Sequence, residues 1–335
     1  RRSIDARDGV ELVYTAAVEL ADEEKLLRRL HRGRKVSRYV PTPPYAPPAP
    51  IALPETAPVV VGAGPAGLFA ALVLALSGAR PILLEQGRTV EQRQADVARF
   101  WQTGALDPRS NVQFGEGGAG VPMEAKPFAV GVRIEHRQAD MDAVQYKQYA
   151  GRPGLPASSY KLSCHLPGGR AAYSFCVCPG GQVVAAASEP GRAVTNGMSR
   201  FARDGENING GFLVNVTPED FGGGADPLAG VAFQRKLEED AFRLGGGGFR
   251  APAQRVEDFL AGQPSAGPGR VKPTYRPGVT WTDLRGCLPD FVADTLAQAL
   301  PFLDRKLPGY AAADAVLTAV ESRSSSPVRI PRDET

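Results

Sequence analysis

Histidine and cysteine are scarce in this chain, at 3 and 4 of 335 residues. Cys164, Cys176, Cys178 and Cys287 do not form the framework of a disulfide scaffold at this length. No second cysteine pair stands beside Cys176-Val-Cys178 to complete a zinc site. An excess of either charge is also missing. The 39 Lys/Arg and 36 Asp/Glu leave +3, which supports neither a nucleic-acid partner nor an anionic membrane surface. One uncharged run, Thr56 to Ala79, has the length of a membrane span. Pro58, Gly62, Gly64, Pro65 and Gly67 break the half that would have to be helical, so no span is expected. No signal peptide is visible. The chain opens on Arg1 rather than Met, which leaves targeting open, and a reducing cytoplasm is the expected location.

Glycine and proline are plentiful, at 38 and 30 residues. Apolar runs recur between them, so the composition suits a folded chain with many turns, long enough for two domains. Residues 1–40 read as a small α+β module. Ile4 to Leu20 alternates loosely around Asp8-Gly9, and Asp22-Glu-Glu opens a short basic helix closed by Gly33. Lys25 to Arg38 carries seven Lys/Arg and no acid. Without interleaved aromatics it reads as a solvated helix end rather than a nucleic-acid patch. Residues 41–58 hold eight prolines and read as a stiff, extended linker.

The strongest signal follows the linker. An apolar strand, VVV, runs into Gly62-Ala-Gly64-Pro-Ala-Gly67, then an apolar helix, then the strand PILLE ending at Glu85. This is the dinucleotide-binding fingerprint in its expected order. Gly62 permits the tight turn, Gly64 lets a pyrophosphate approach the backbone, and Gly67 lets helix and strand pack closely. The helix N-terminus offers free N–H groups and a partial positive charge to the diphosphate. Glu85 stands where an acceptor for ribose hydroxyls belongs, which favours FAD or NAD over NADP. Arg88 and Arg93, just beyond Gln86, are candidates for phosphate contact or solvated surface cations.

Further on, Thr89 to Trp101 reads as a helix with Val90, Val97 and Phe100 on its apolar face. The Gly-rich segment 111–120 reads as a second backbone cradle or a plain turn. From Phe128 the pattern is β-rich, with strands at 128–136, 173–178, 182–187, 193–198, 212–217 and 315–323. Helices are expected at 234–244 and 288–300. A doubly wound nucleotide domain needs at least three parallel strands, and no third βα unit lies between Glu85 and Phe128.

The fingerprint together with NVQFGEGGAG, EAKPFAVGVRIEH, YSFCVCPGGQVV, NGMSRFARDGEN, GGFRAPAQRVEDFLAG and SSSPVRIPRDET resembles an uncharacterised family of bacterial FAD-dependent dehydrogenases. That family is distantly similar to the glutathione-reductase-type flavoproteins. The resemblance implies an α/β fold: an incomplete Rossmann-type FAD-binding domain, a β-rich inserted α+β domain and the small N-terminal α+β module. It divides the chain into 1–40, 41–58, 59–120, 121–312 and 313–335, the last returning toward the nucleotide domain. Where the family continues after GEGGAG, this chain passes directly into Val121, and it ends at Thr335 before the family's second Gly-rich segment. An internally shortened and C-terminally truncated version is therefore expected. Gly62, Gly64, Pro65, Ala66 and Gly67, with Glu85, Gln86, Arg93, Gly117 and Gly118, form the expected FAD-contacting set.

In such a protein the flavin does the redox work and few catalytic side chains are needed. Cys176 and Cys178, on one side of a strand, are either a redox pair or two small packing residues. His136 and His165 are either acid/base groups or structural ones. Arg203-Asp204-Gly-Glu206-Asn207 either binds substrate or closes a hairpin, and Ser322 to Ser326 either meets an anion or forms a polar loop. The expected function is an FAD-dependent oxidoreductase passing hydride or electrons, with NAD(P)H as a candidate donor. The alternatives are a flavin- or NAD-binding sensor or scaffold without turnover.

Overall fold

The computed structural model describes residues 2–5, 10–19, 22–30, 37–41, 43, 46, 56–103, 123–329 and 331. The expected cradle at 111–120, with Gly117 and Gly118, lies outside them, as do the Asp8-Gly9 turn and much of the Pro-rich segment. The chain divides into two compact units, residues 1–86 and 87–335.

In the first unit β1 (Arg2–Asp5) pairs antiparallel with β2 (Glu11–Tyr14), and α1 (Glu23–Leu30) opens on two glutamates that suit the positive end of its dipole. β3 (Val59–Val61) leads through α2 (Pro65–Leu76) to β4 (Ile82–Leu84). β3 and β4 are parallel, with Val59 opposite Ile82 and Val61 opposite Leu84. Pro65 sits in the first turn of α2, where its missing N–H costs nothing. Strands of parallel sheets are apolar on both faces because helices cover both. Here Val61 is 82% exposed, Phe69 on α2 is 68% exposed, and no residue of α2 is buried. No third strand joins this pair among the described residues.

The second unit begins with α3 (Val90–Thr103) and β5 (Glu124–Ala125), followed by β6 (Phe128–Arg137), α4 (Gln138–Tyr146), β7 (Ser163–His165), β8 (Ala171–Ala185), β9 (Thr195–Ser199) and β10 (Asn207–Val216). Then come α5 (Ala229–Leu244), β11 (Ala251–Arg255), α6 (Val256–Ala261), β12 (Val279–Trp281), α7 (Asp290–Lys306), β13 (Val316–Glu321) and β14 (Val328–Arg329). A mixed sheet runs β12-β11-β13-β6-β10-β8-β7, with β9 added to β8. Its pairs are antiparallel except β11 with β12. β5 and β14 form a separate antiparallel pair.

β6 is the centre, in register with β10 from Phe128 opposite Val216 to Arg137 opposite Asn207. Alternation along the strand gives it two faces. Val130, Val132 and Ile134 join Phe212 and Val214 in the main core. α7 covers that core with Val292, Leu296, Ala299, Leu300 and Leu303, a helical stripe that is fully buried. Each such leucine contributes about 1.5–3 kcal/mol of burial. The other face of β6 presents Arg133 and Glu135, both 0% exposed.

Four expectations change. The segments at 173–178 and 182–187 are one strand, β8, because Pro179-Gly180-Gly181 forms a bulge within it rather than a turn. β10 begins at Asn207, five residues before the expected strand, since Asn207, Asn209 and Gly211 face the charged layer. α7 passes through Pro301 to Lys306 because Leu303 extends the buried stripe. On α3, Phe100 packs edge to face on Phe249 with centroids 4.8 Å apart, but Val90 is exposed and Asp96 is buried in its place.

Candidate functional site

The fingerprint loop bridges the carboxyl ends of β3 and β4, where open parallel sheets bind ligands. Gly62 adopts φ +94°, a conformation that disfavours any side chain, and the space where its Cβ would lie is empty. The Gly62 N–H donates to Leu84 O at 2.7 Å, which ties the turn to β4. A Cβ on Gly67 would overlap the Gly62 carbonyl oxygen, so only glycine allows this approach of helix to strand. Gly64 caps α2 in extended backbone with no side chain over the helix end. The first-turn N–H groups of Ala66 and Gly67 therefore have no partner within the helix. Glu85 follows β4, and its Oε2 accepts the Ala63 N–H at 2.6 Å. An open, uncapped helix start with a carboxylate beside it fits a pyrophosphate and an adjoining ribose. Gln86 ends the first unit, while Arg88 and Arg93 belong to the second, where Arg88 reaches Asp96 at 3.4 Å.

The other candidates separate. Cys176 and Cys178 do not share a strand face in the simple way their spacing suggests. An extra residue of β8 between the pairs Cys178–Asn209 and Phe175–Gly211 makes a bulge, and Cys176 takes φ +41°. Cys176 is exposed and Cys178 half-buried. Desolvation pushes both thiols up, against the pull of Arg133, so neither is held as a thiolate. His136 is buried among Tyr160 and Tyr310, with Nε2 2.8 Å from Tyr310 O, and burial lowers its pKa. It is a neutral core histidine. His165 is exposed on β7. The Ser322–Ser326 segment meets an anion within the protein itself. Ser322 Oγ donates to Glu238 Oε1 at 2.6 Å and Arg323 spans both oxygens of that carboxylate at 2.9 and 3.0 Å.

The charged layer behind β6 was not anticipated. Arg133 donates through Nη2 to Asn196 Oδ1 at 2.8 Å and Glu321 Oε1 at 2.9 Å, and through Nη1 to the Cys176 carbonyl at 2.8 Å. Glu135 accepts from Thr274 Oγ1 at 2.5 Å and Asn207 Nδ2 at 3.1 Å. Burial raises its pKa, and these hydrogen bonds oppose the rise. The available signal was two opposite charges alternating with valine and isoleucine in AVGVRIEH.

At the end of this layer a cleft of about 640 Å³ opens. Its floor is Gly180, Gly181 and Gly205. A Cβ on Gly181 would lie 2.6 Å from Met198 O, and one on Gly205 2.6 Å from Gly180 O. Gly180 N donates to the buried Gln138 Oε1 at 2.8 Å, and Ser199 Oγ to Pro179 O at 2.8 Å. Met198, Arg200, Asp204 and Glu206 line one side, and Pro273 to Arg276 the other.

Comparison with known proteins agrees with the geometry of the loop. Residues 127–324 match the family described as FAD-dependent protein, C-terminal domain-like, and residues 55–104 match an FAD binding domain. A protein of Clostridium beijerinckii, itself named an uncharacterized protein, is 34% identical over 449 residues, covering 99% of this chain and 84% of the relative. That alignment exceeds the 335 residues here by more than a hundred positions, so the relative carries internal residues that this chain lacks. No group of three or more His, Cys, Asp or Glu placed to hold a metal occurs among the described residues, nor any helix long and apolar enough to cross a membrane.

Proposed function

Because the chain belongs to the family of FAD-dependent proteins with this C-terminal domain, we propose that it is a flavin-dependent oxidoreductase of the dehydrogenase type. FAD is the cofactor. The observation that carries the reading is the fingerprint loop, with Gly67 too crowded for any Cβ and Glu85 held against Ala63 N–H. The Gly62–Gly67 backbone and the start of α2 hold the pyrophosphate, and the Glu85 carboxylate accepts from ribose hydroxyls. Bound FAD supplies two-electron transfer at its isoalloxazine. The protein's own part is to orient cofactor and substrate, since His136 is neutral and buried and both strand thiols are held protonated.

The second reading is a flavin-binding sensor or scaffold, favoured by the neutral state of His136 and of both strand thiols. Anaerobic addition of NADH and NADPH to the FAD-loaded protein separates them. Bleaching of the oxidised flavin band within seconds supports the oxidoreductase. A band that persists for hours with both donors, and with dithionite still reducing it, favours the scaffold.

A further inference from the structure

We propose that the cleft of the second unit binds a small zwitterion, a free amino acid or a dipeptide, through its carboxylate and its ammonium group together. This inference is independent of the flavin reading, because the cleft lies wholly within residues 180–276.

Three stretches distant in sequence meet there. Gly180 to Gln182 of β8 and the Met198–Glu206 stretch, which runs from the end of β9 to the connection before β10, form the floor and one wall. The floor is fixed in advance. The glycines admit no Cβ, Gly205 N donates to Gly180 O at 3.1 Å, and Gln138 and Ser199 anchor the flanking backbone. The facing wall is fixed as well, since Thr274 is held between Glu135 and Val183 N.

The charges lining the cleft decide the ligand class. Arg200, Arg276, Asp204 and Glu206 are all exposed. None of the four side chains forms an ion pair or hydrogen bond among the described residues. Elsewhere in this unit arginines pair readily: Arg133 with Glu321, Arg170 with Asp220, Arg255 with Asp258 and Arg323 with Glu238. Two cations and two anions around one cleft thus remain available to a ligand. Guanidinium groups take a carboxylate in two parallel hydrogen bonds, and an ammonium offers three donors to carboxylates. A ligand with only negative charge would meet Asp204 and Glu206, and one with only positive charge would meet both arginines. A metal ion is disfavoured by the absence of a ligating cluster among the described residues. Met198, 48% exposed, and Pro273 line the same cleft and offer an apolar surface for a side chain.

The test uses the full chain. Calorimetric titration with each of the twenty amino acids and with leucyl-leucine finds the strongest binder. That compound is then compared with its N-acetyl and C-amide derivatives. Removing either charge should weaken binding at least about fivefold. Arg276→Ala should reproduce the loss seen with the amide and Asp204→Asn the loss seen with the acetyl derivative, while Lys161→Ala, exposed and outside the cleft, changes nothing. All three variants should melt like the parent. No saturable binding by any probe up to about 10 mM overturns the proposal. So does equal binding of the acetyl derivative, which would make the cleft an anion site, or of the amide, which would make it a cation site. Binding that ignores both variants would lie elsewhere and also overturns it.

Discussion

Arg133 and Glu321 close a buried ion pair between β6 and β13. Nη2 donates to Oε1 at 2.9 Å and Nε faces Oε2, with the residues 0% and 3% exposed. The remaining guanidinium donors reach Asn196, Asn209 and the Cys176 carbonyl. Glycines make room for the pair: a Cβ on Gly197 would overlap Asn209 and one on Gly211 would lie 3.0 Å from Glu321 Oε2.

This pair gives a pH dependence of known sign. Burial pushes the Glu321 carboxyl from 4.5 up to about 7, although Arg133 opposes the rise. A group that holds its proton more tightly when folded adds stability that is complete below its unfolded pKa and lost as pH rises through its folded one. The Glu321 contribution therefore falls between about pH 4.5 and about pH 7. Glu321→Gln removes it. Urea unfolding of both proteins should show the variant gaining on the parent by up to about 3 kcal/mol from the acid to the alkaline side. A constant difference across that range would contradict the assignment.

Breaking the pair from the other side should be costly. Arg133→Met leaves a buried carboxylate without its partner, and the loss should be about 3–5 kcal/mol. Arg133→Met combined with Glu321→Leu should recover most of it, because neither charge then needs compensation. A double variant no more stable than Arg133→Met would show that the layer as a whole, not the pair, carries the cost.

Pro301 lies inside α7 and is exposed, so it removes a helical hydrogen bond without filling the core. Pro301→Ala should raise stability by about 1–2 kcal/mol, part of the proline penalty being offset by its restriction of the unfolded chain. A lower melting temperature would mean that the ring packs against something that alanine cannot replace.

At the fingerprint, Gly67→Ala forces α2 away from the Gly62 carbonyl. Flavin affinity should fall at least about tenfold, as read by fluorescence quenching. Unchanged affinity would remove this loop from the cofactor site.

The fingerprint was legible because Gly62 and Gly67 answer local steric demands, a positive φ and a close approach of helix to strand, that their spacing reveals. β6 and α7 were legible because their apolar periods match strand and helix. β10 was only half legible: Asn207, Asn209 and Gly211 read as turn residues, yet they face Glu135, Arg133 and Glu321, while Gly210 turns to Tyr160 and Val177 on the other face. Proline and glycine misled at two places. Pro179-Gly-Gly bulges a continuous strand, and Pro301 sits within a helix, because pairing and burial outweigh local preference at both. The cleft was not legible, since its two sides lie about seventy residues apart in sequence.

The proposed FAD site at Gly62–Glu85 is tested most directly by the visible absorption spectrum of the purified protein after incubation with FAD and desalting. A flavin band should stay with the folded parent and be lost in Gly67→Ala. A parent folded by circular dichroism that emerges from desalting without flavin would contradict it.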